Sequence, residues 1–174
     1  MKESTRNSSC AASPFGLALE LTASLLPLWK AIAELVQQFL AVRPSPESTH
    51  QFENTLHDLL RKIGLLIMAW VFNHIEPETK EESPARIMFE REEYRRKPKS
   101  PNHEVGTLFG EFRLDRLLYE PLESGLRSIF PLEIELGVVA RNATPAFAER
   151  VAELATDSTQ GELLSILKRQ HGVH

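Results

Sequence analysis

The chain has 174 residues, a formal net charge of −4 and a sequence pI near 5.9, which excludes a protein that is basic over its whole surface. A local basic face can persist inside an acidic average, because local fields rather than totals bind phosphate. Apolar residues make up 42% of the sequence, enough for a core, and the single cysteine, Cys10, excludes an internal disulfide and fits a reducing cytoplasm.

Residues 1–14 are rich in Ser, Asn and Thr and poor in large apolar groups, which predicts a disordered lead-in. They lack the charged-then-apolar order of a signal peptide. The apolar run from Gly64 to Phe72 is far shorter than the ~20 residues that a membrane span needs. A soluble protein with no membrane partner is expected.

From Phe15 to Val42, Leu21, Leu25, Leu28, Ile32, Leu35 and Phe39 fall at helical spacing. Pro27 inside this run predicts a kink, or two short helices meeting there. RPSP at 43–46 is a break. A second helix then opens with Ser45 as cap and Pro46 at its first position. Its stripe runs through Phe52, Leu56, Leu59, Leu60, Ile63, Leu66, Ile67, Trp70 and Val71. The wide end of the stripe packs on the first helix or on a second copy of the chain. Residues 15–75 are therefore a helical arm in which oligomerisation is open.

Residues 76–86 form a charged linker, and 87–120 a β-hairpin region of two to four antiparallel strands with its turn near Phe109-Gly110. Phe112, Leu114, Arg116 and Leu118 share one face there, Arg113, Asp115, Leu117 and Tyr119 the other. Residues 121–174 return to helix. A short helix in 131–140 loosens near Gly137, and Thr144-Pro145 opens a second one. Thr159 and Glu162 make a capping box for a third, which Gly172 is placed to end. The last two resemble part of a helix-turn-helix. The fold class expected is α+β, mainly helical.

None of the six histidines, His50, His57, His74, His103, His171 and His174, forms an H-x-x-x-H pair, so neither a metal nor another cofactor is expected. The carboxylates sit in the linker and on helix faces, and no phosphate-loop or nucleophile motif occurs, so no catalytic residue is assigned. The candidate site is basic instead: Arg95, Arg96, Lys97 and Lys99, with Arg113 and Arg116 from the neighbouring strand, could neutralise DNA phosphates. A solvated strand face with ordinary Arg–Glu pairs explains the same composition.

An ordered set of residues carries a resemblance. Thr107, Phe109, Gly110, Leu114, Arg116 and Tyr119 are followed by Pro131, Leu132, Leu136 and Gly137. Thr144, Pro145, Val151, Ala152, Leu154 and Ala155 come next, then Leu167, Gly172 and Val173. This pattern, over roughly 52–173, resembles the N-terminal region of bacterial insertion-sequence transposases of the Kra and Lre types. The resemblance implies a part that holds the DNA ends of the element and helps assemble the synaptic complex, ahead of an Asp-Asp-Glu catalytic domain that this sequence does not contain. Partners implied are DNA and a second copy or a full-length transposase. Many relatives carry a cysteine pair after the Tyr119 position; here the stretch is EPLESGLRSIF, so zinc is not carried over. The alternative is a helical protein–protein interaction module with no DNA role.

Overall fold

A computed structural model describes residues 14–75, 83–98, 103–123, 125–140 and 142–171. Its order is α1 (Pro14–Ala41), α2 (Pro46–Ile75), β1 (Arg86–Phe89), β2 (Glu92–Arg96), β3 (His103–Thr107), β4 (Gly110–Leu114), β5 (Tyr119–Pro121), α3 (Pro131–Glu135), α4 (Pro145–Asp157) and α5 (Gln160–His171). The fold is α+β and mainly helical, with small antiparallel sheets. Of the expected lead-in at 1–14, Pro14 begins α1, while residues 1–13, most of the expected linker (76–82) and Gly172 lie outside the described residues.

The chain forms two compact units that divide between Leu59 and Leu60, inside α2. In the first, α1 is one continuous helix, so Pro27 does not split it into two. Proline removes a single bond, the one to the carbonyl of Ala23. Ala23 and Pro27 are both exposed, so water can satisfy that carbonyl. Leu21, Leu25, Leu28, Ile32, Leu35 and Phe39 are buried or half-buried, as their spacing predicts. Phe39 stacks on Phe52 of α2 with ring centroids 4.5 Å apart. Ser45 caps α2 reciprocally with Ser48, each backbone N–H donating to the other's hydroxyl at 2.9 and 3.1 Å. By length and composition Gly16–Ala41 is apolar enough to cross a membrane, with a mean hydropathy of 1.3, a property that the sequence reading assigned to no segment.

The second unit is built on the other end of α2. Leu65, Met68, Ala69 and Phe72 pack against Val105, Phe112 and Leu114 of the β3–β4 hairpin and against Leu132 and Leu136. Asn73 fastens the end of α2 to the end of β4: its Nδ2 donates to the Arg113 carbonyl at 3.1 Å and its Oδ1 accepts from the Asp115 N–H at 2.8 Å. The residues at 60–75 thus belong with the hairpin, because the wide stripe of α2 finds its apolar partner there.

The strands number five among the described residues, one more than the two to four expected, and they form two sheets, β1-β2-β5 and β3-β4. The β1–β2 turn is Glu90-Arg91, both with positive φ (49° and 74°) although neither is Gly. Such a pair gives a two-residue hairpin the twist that its strands need. The β3–β4 turn is Leu108-Phe109, with Thr107 opposite Gly110. Thr107, nearly fully buried, closes it by donating to the Gly110 carbonyl at 2.8 Å and accepting from the Phe109 N–H at 3.1 Å. Gly110 has φ 132°, and a Cβ there would lie 3.2–3.3 Å from the His171 carbonyl, Arg61 and Leu65. A side chain here would be strained by the backbone angle and crowded by these atoms.

The outer edge of β3 carries the helical end of the chain. Gly106 donates to the Asn142 carbonyl at 2.8 Å and accepts from Thr144 at 3.0 Å, which sets the start of α4. Phe147 of α4 lies over Gly106, where a Cβ would come within 2.8 Å of its ring. His171, at the end of α5, packs edge-on to Phe147 and through Nδ1–H donates to the Leu108 carbonyl at 2.6 Å. Gly137, with φ 65°, follows α3, and Thr144 is the N-cap of α4 with Pro145 at its first position.

Ile63 is 9% exposed and Leu60 50% exposed, although both sit on the stripe of α2. Ile63→Ala should cost about 2–5 kcal/mol, whereas Leu60→Ala should change stability by less than about 1 kcal/mol. Urea denaturation of the two variants checks the contrast. The capping box of α5 gives a pH signature. Glu162 accepts from the N–H and the hydroxyl of Thr159 at 2.9 and 2.8 Å, and these bonds hold its carboxyl below the ordinary carboxylate value. A depressed folded pKa contributes stability above the unfolded value and loses it as pH falls through the folded one. The stability difference between the native chain and Glu162→Ala should therefore be full at neutral pH and shrink on acidification below the ordinary carboxylate range, as read by thermal melts across pH.

Candidate nucleic-acid interface

Side chains alternate across a strand, and this rule disperses the basic run. On β2, Tyr94 is buried and Arg96, in phase with it, is half-buried, its guanidinium donating to the Ser83 carbonyl. Arg95 and Lys97 fall on the opposite, outer side. There the register sets Arg86, Arg95 and Glu120 in one row across β1, β2 and β5. Lys97 Nζ lies 2.6 Å from Glu120 and Arg86 3.0 Å from Glu93. The face is an interleaving of cations with carboxylates, and Arg95 is the exposed cation in its middle. Lys99 lies outside the described residues.

Arg113 is exposed on β4, on the side turned away from Phe112 and Leu114. Glu104 is its cross-strand partner. With Arg61, Glu104 and Glu111 it lines an open groove beside the hairpin, so its field too is offset by carboxylates.

Arg116 is a correction. It is 8% exposed, forms an ion pair with Glu133 of α3, which is 6% exposed, and lies with its guanidinium carbon 3.7 Å from the centroid of the Phe130 ring. A guanidinium held in this way cannot reach a phosphate outside. Its phase with Phe112 and Leu114 already put it on the apolar face. Glu133 was missed by sequence reasoning; the available signal was its place between Leu132 and Leu136, both packed inward.

The five candidates among the described residues therefore do not form one patch. Arg95 and Lys97 share the outer face of the three-stranded sheet, Arg96 faces its other side, Arg113 sits on the hairpin and Arg116 is interior. Two exposed cations outside the candidate set, Lys168 and Arg169, lie in the last turn of α5, where they also offset the helix dipole. The helix pair α4–α5 is present, joined through Ser158 and Thr159. Among the described residues no group of three or more His, Cys, Asp or Glu is placed to hold a metal ion.

Removing one partner of a buried ion pair leaves the other charge uncompensated, which costs about 3–5 kcal/mol. Arg116→Ala should therefore lower the denaturation midpoint steeply, while Arg116→Met combined with Glu133→Leu should recover most of the loss. Equal destabilisation by the single and double variants would show that the pair is not the cause.

No family model, no curated protein and no solved structure matches this chain.

Proposed function

We propose that this chain is a DNA-holding and assembly region of a transposase-like protein, with no catalytic centre of its own. The supporting observation is where the members of the ordered set lie. Thr107 closes the hairpin turn, and Gly110 holds a positive φ that favours glycine. Arg116 carries the buried ion pair, and Tyr119 donates its hydroxyl proton to the Pro84 carbonyl at 2.9 Å. Gly137 follows α3 and Thr144 stands at the N-cap position of α4. These six members lie at junctions of the fold, while Phe109, Pro145, Ala152 and Ala155 of the same set are exposed. In this reading the motif is scaffold, and phosphate contact falls to the exposed Arg95 and Arg113 on its two ribbons.

The interleaved carboxylates of those ribbons favour a second reading, a helical interaction module that does not touch DNA. Fluorescence anisotropy with a labelled random-sequence duplex separates the two. The first reading expects binding at low salt that weakens steeply as salt rises. Arg95→Ala with Arg113→Ala should then reduce the slope of log K against log salt by about 1.8, two phosphate contacts at about 0.9 each, with an unchanged melting profile. A folded chain that leaves the duplex unbound even at low salt supports the interaction module instead.

A further inference from the structure

The large apolar residues exposed within α1 are Leu19, Leu26, Trp29, Val36 and Leu40, at 62, 64, 53, 37 and 77%. With Thr22 and Ala33, also exposed, they follow the spacing 3-4-3-4-3-4 through 19, 22, 26, 29, 33, 36 and 40. That is an unbroken a/d repeat over three heptads, about 32 Å of helix. It runs beside the buried or half-buried series Leu21, Leu25, Leu28, Ile32, Leu35 and Phe39, which has the same repeat displaced around the helix. α1 thus has two adjacent seams, one covered and one bare. Pro27 lies off the bare seam and leaves it intact.

We propose that the bare seam of α1 is an antiparallel interface with a second copy of this chain. Bulk selects this occupant and this direction, and the charged border permits it. Aligned antiparallel so that Trp29 opposes Ala33, the seam also sets Leu26 against Val36 and Thr22 against Leu40. Each of these layers pairs a larger side chain with a smaller one, and Leu19 falls opposite position 43, past the end of α1. A parallel pair would stack Trp29 on Trp29 and Ala33 on Ala33, with a clash at one layer and a void at the other. The charged residues of α1 are Glu20, Lys30 and Glu34. Lys30 and Glu34 border the same side of the seam and are exposed, with 3.9 Å between their charged atoms. A two-fold axis perpendicular to the helices brings that side of one copy to the same side of the other. In the chosen alignment Lys30 of each copy lies beside both Lys30 and Glu34 of the other, so the border is a mixed cluster of two cations and two carboxylates about the two-fold axis. The interface goes beyond the DNA reading and does not rest on it.

Sedimentation equilibrium of the full chain, with circular dichroism on every variant, tests the interface. The native chain should be a dimer. Leu26→Glu with Val36→Glu should yield a helical monomer, since both positions are exposed. Ala33→Trp alone opposes two tryptophans and should raise the dimer Kd about tenfold or more. Adding Trp29→Ala restores the large–small pairing and should recover most of the affinity. Lys30→Glu should weaken the dimer, and Lys30→Glu with Glu34→Lys should restore it. A native chain that stays monomeric at ~100 μM, a dimer indifferent to Leu26→Glu with Val36→Glu, or failure of both compensating pairs overturns the proposal. So does co-flotation of the native chain with phosphatidylcholine–phosphatidylglycerol vesicles in place of dimer formation, which would make the bare seam a lipid-facing surface.

Discussion

The second unit depends on one buried ion pair. Arg116 lies in the segment 115–118 that carries the chain from the β3–β4 hairpin to β5, and Glu133 sits in the single turn and a half of α3. Such a pair adds little net stability, because desolvation of both charges offsets their attraction. What it supplies is direction. A guanidinium over the Phe130 ring and against one carboxylate has few alternative seats, so the approach of α3 to the hairpin is fixed. Leu132 and Leu136 then enter the core, and the chain turns at Gly137 toward β3.

The remaining junctions use another device, a polar side chain bonded to the backbone of a different element. Asn73 joins α2 to the end of β4, Tyr119 joins β5 to Pro84, and His171 joins α5 to the hairpin turn. Buried carbonyls and N–H groups need partners, and sheets of two and three short strands leave many unpaired. These side chains fill that need while setting where each element lies. They also explain why the hairpin is central. It receives α2 on one face, the segment before α4 along its edge, and α5 at its turn.

The helices were legible in the sequence because their signals are local. Ser45-Pro46, Thr144-Pro145 and the Thr159–Glu162 box mark starts within four residues, and the period of apolar positions marks faces. Pro27 does not divide α1, because a helix of 28 residues tolerates one lost bond where the freed carbonyl, that of Ala23, is at an exposed position. The sheets were less legible. Strands of three to five residues hold too few alternations to announce themselves, and β5 reaches β2 across more than twenty intervening residues. Arg116 is the instructive case. Its phase with Phe112 and Leu114 was visible, but its charge suggested a surface role, and the carboxylate that admits it to the interior belongs to a later element. The basic run at 95–99 was read as a patch because its members adjoin in sequence; alternation on a strand sends neighbours to opposite faces.

Dispersed cations and a bare helical seam bear on each other through affinity. Each neutralised phosphate contributes one increment to the salt-dependent part of DNA binding, and the two ribbon arginines, Arg95 and Arg113, each have a carboxylate as cross-strand partner, Glu120 and Glu104. A duplex held by two copies has twice the contacts, and the second set engages at the effective concentration that the first imposes, which can raise avidity by about 10²–10⁴ where the geometry permits both. The proposed DNA reading and the proposed seam on α1 thus support each other: the first gains contacts from a second copy, and the second has the spacing and the bulk pattern to recruit one.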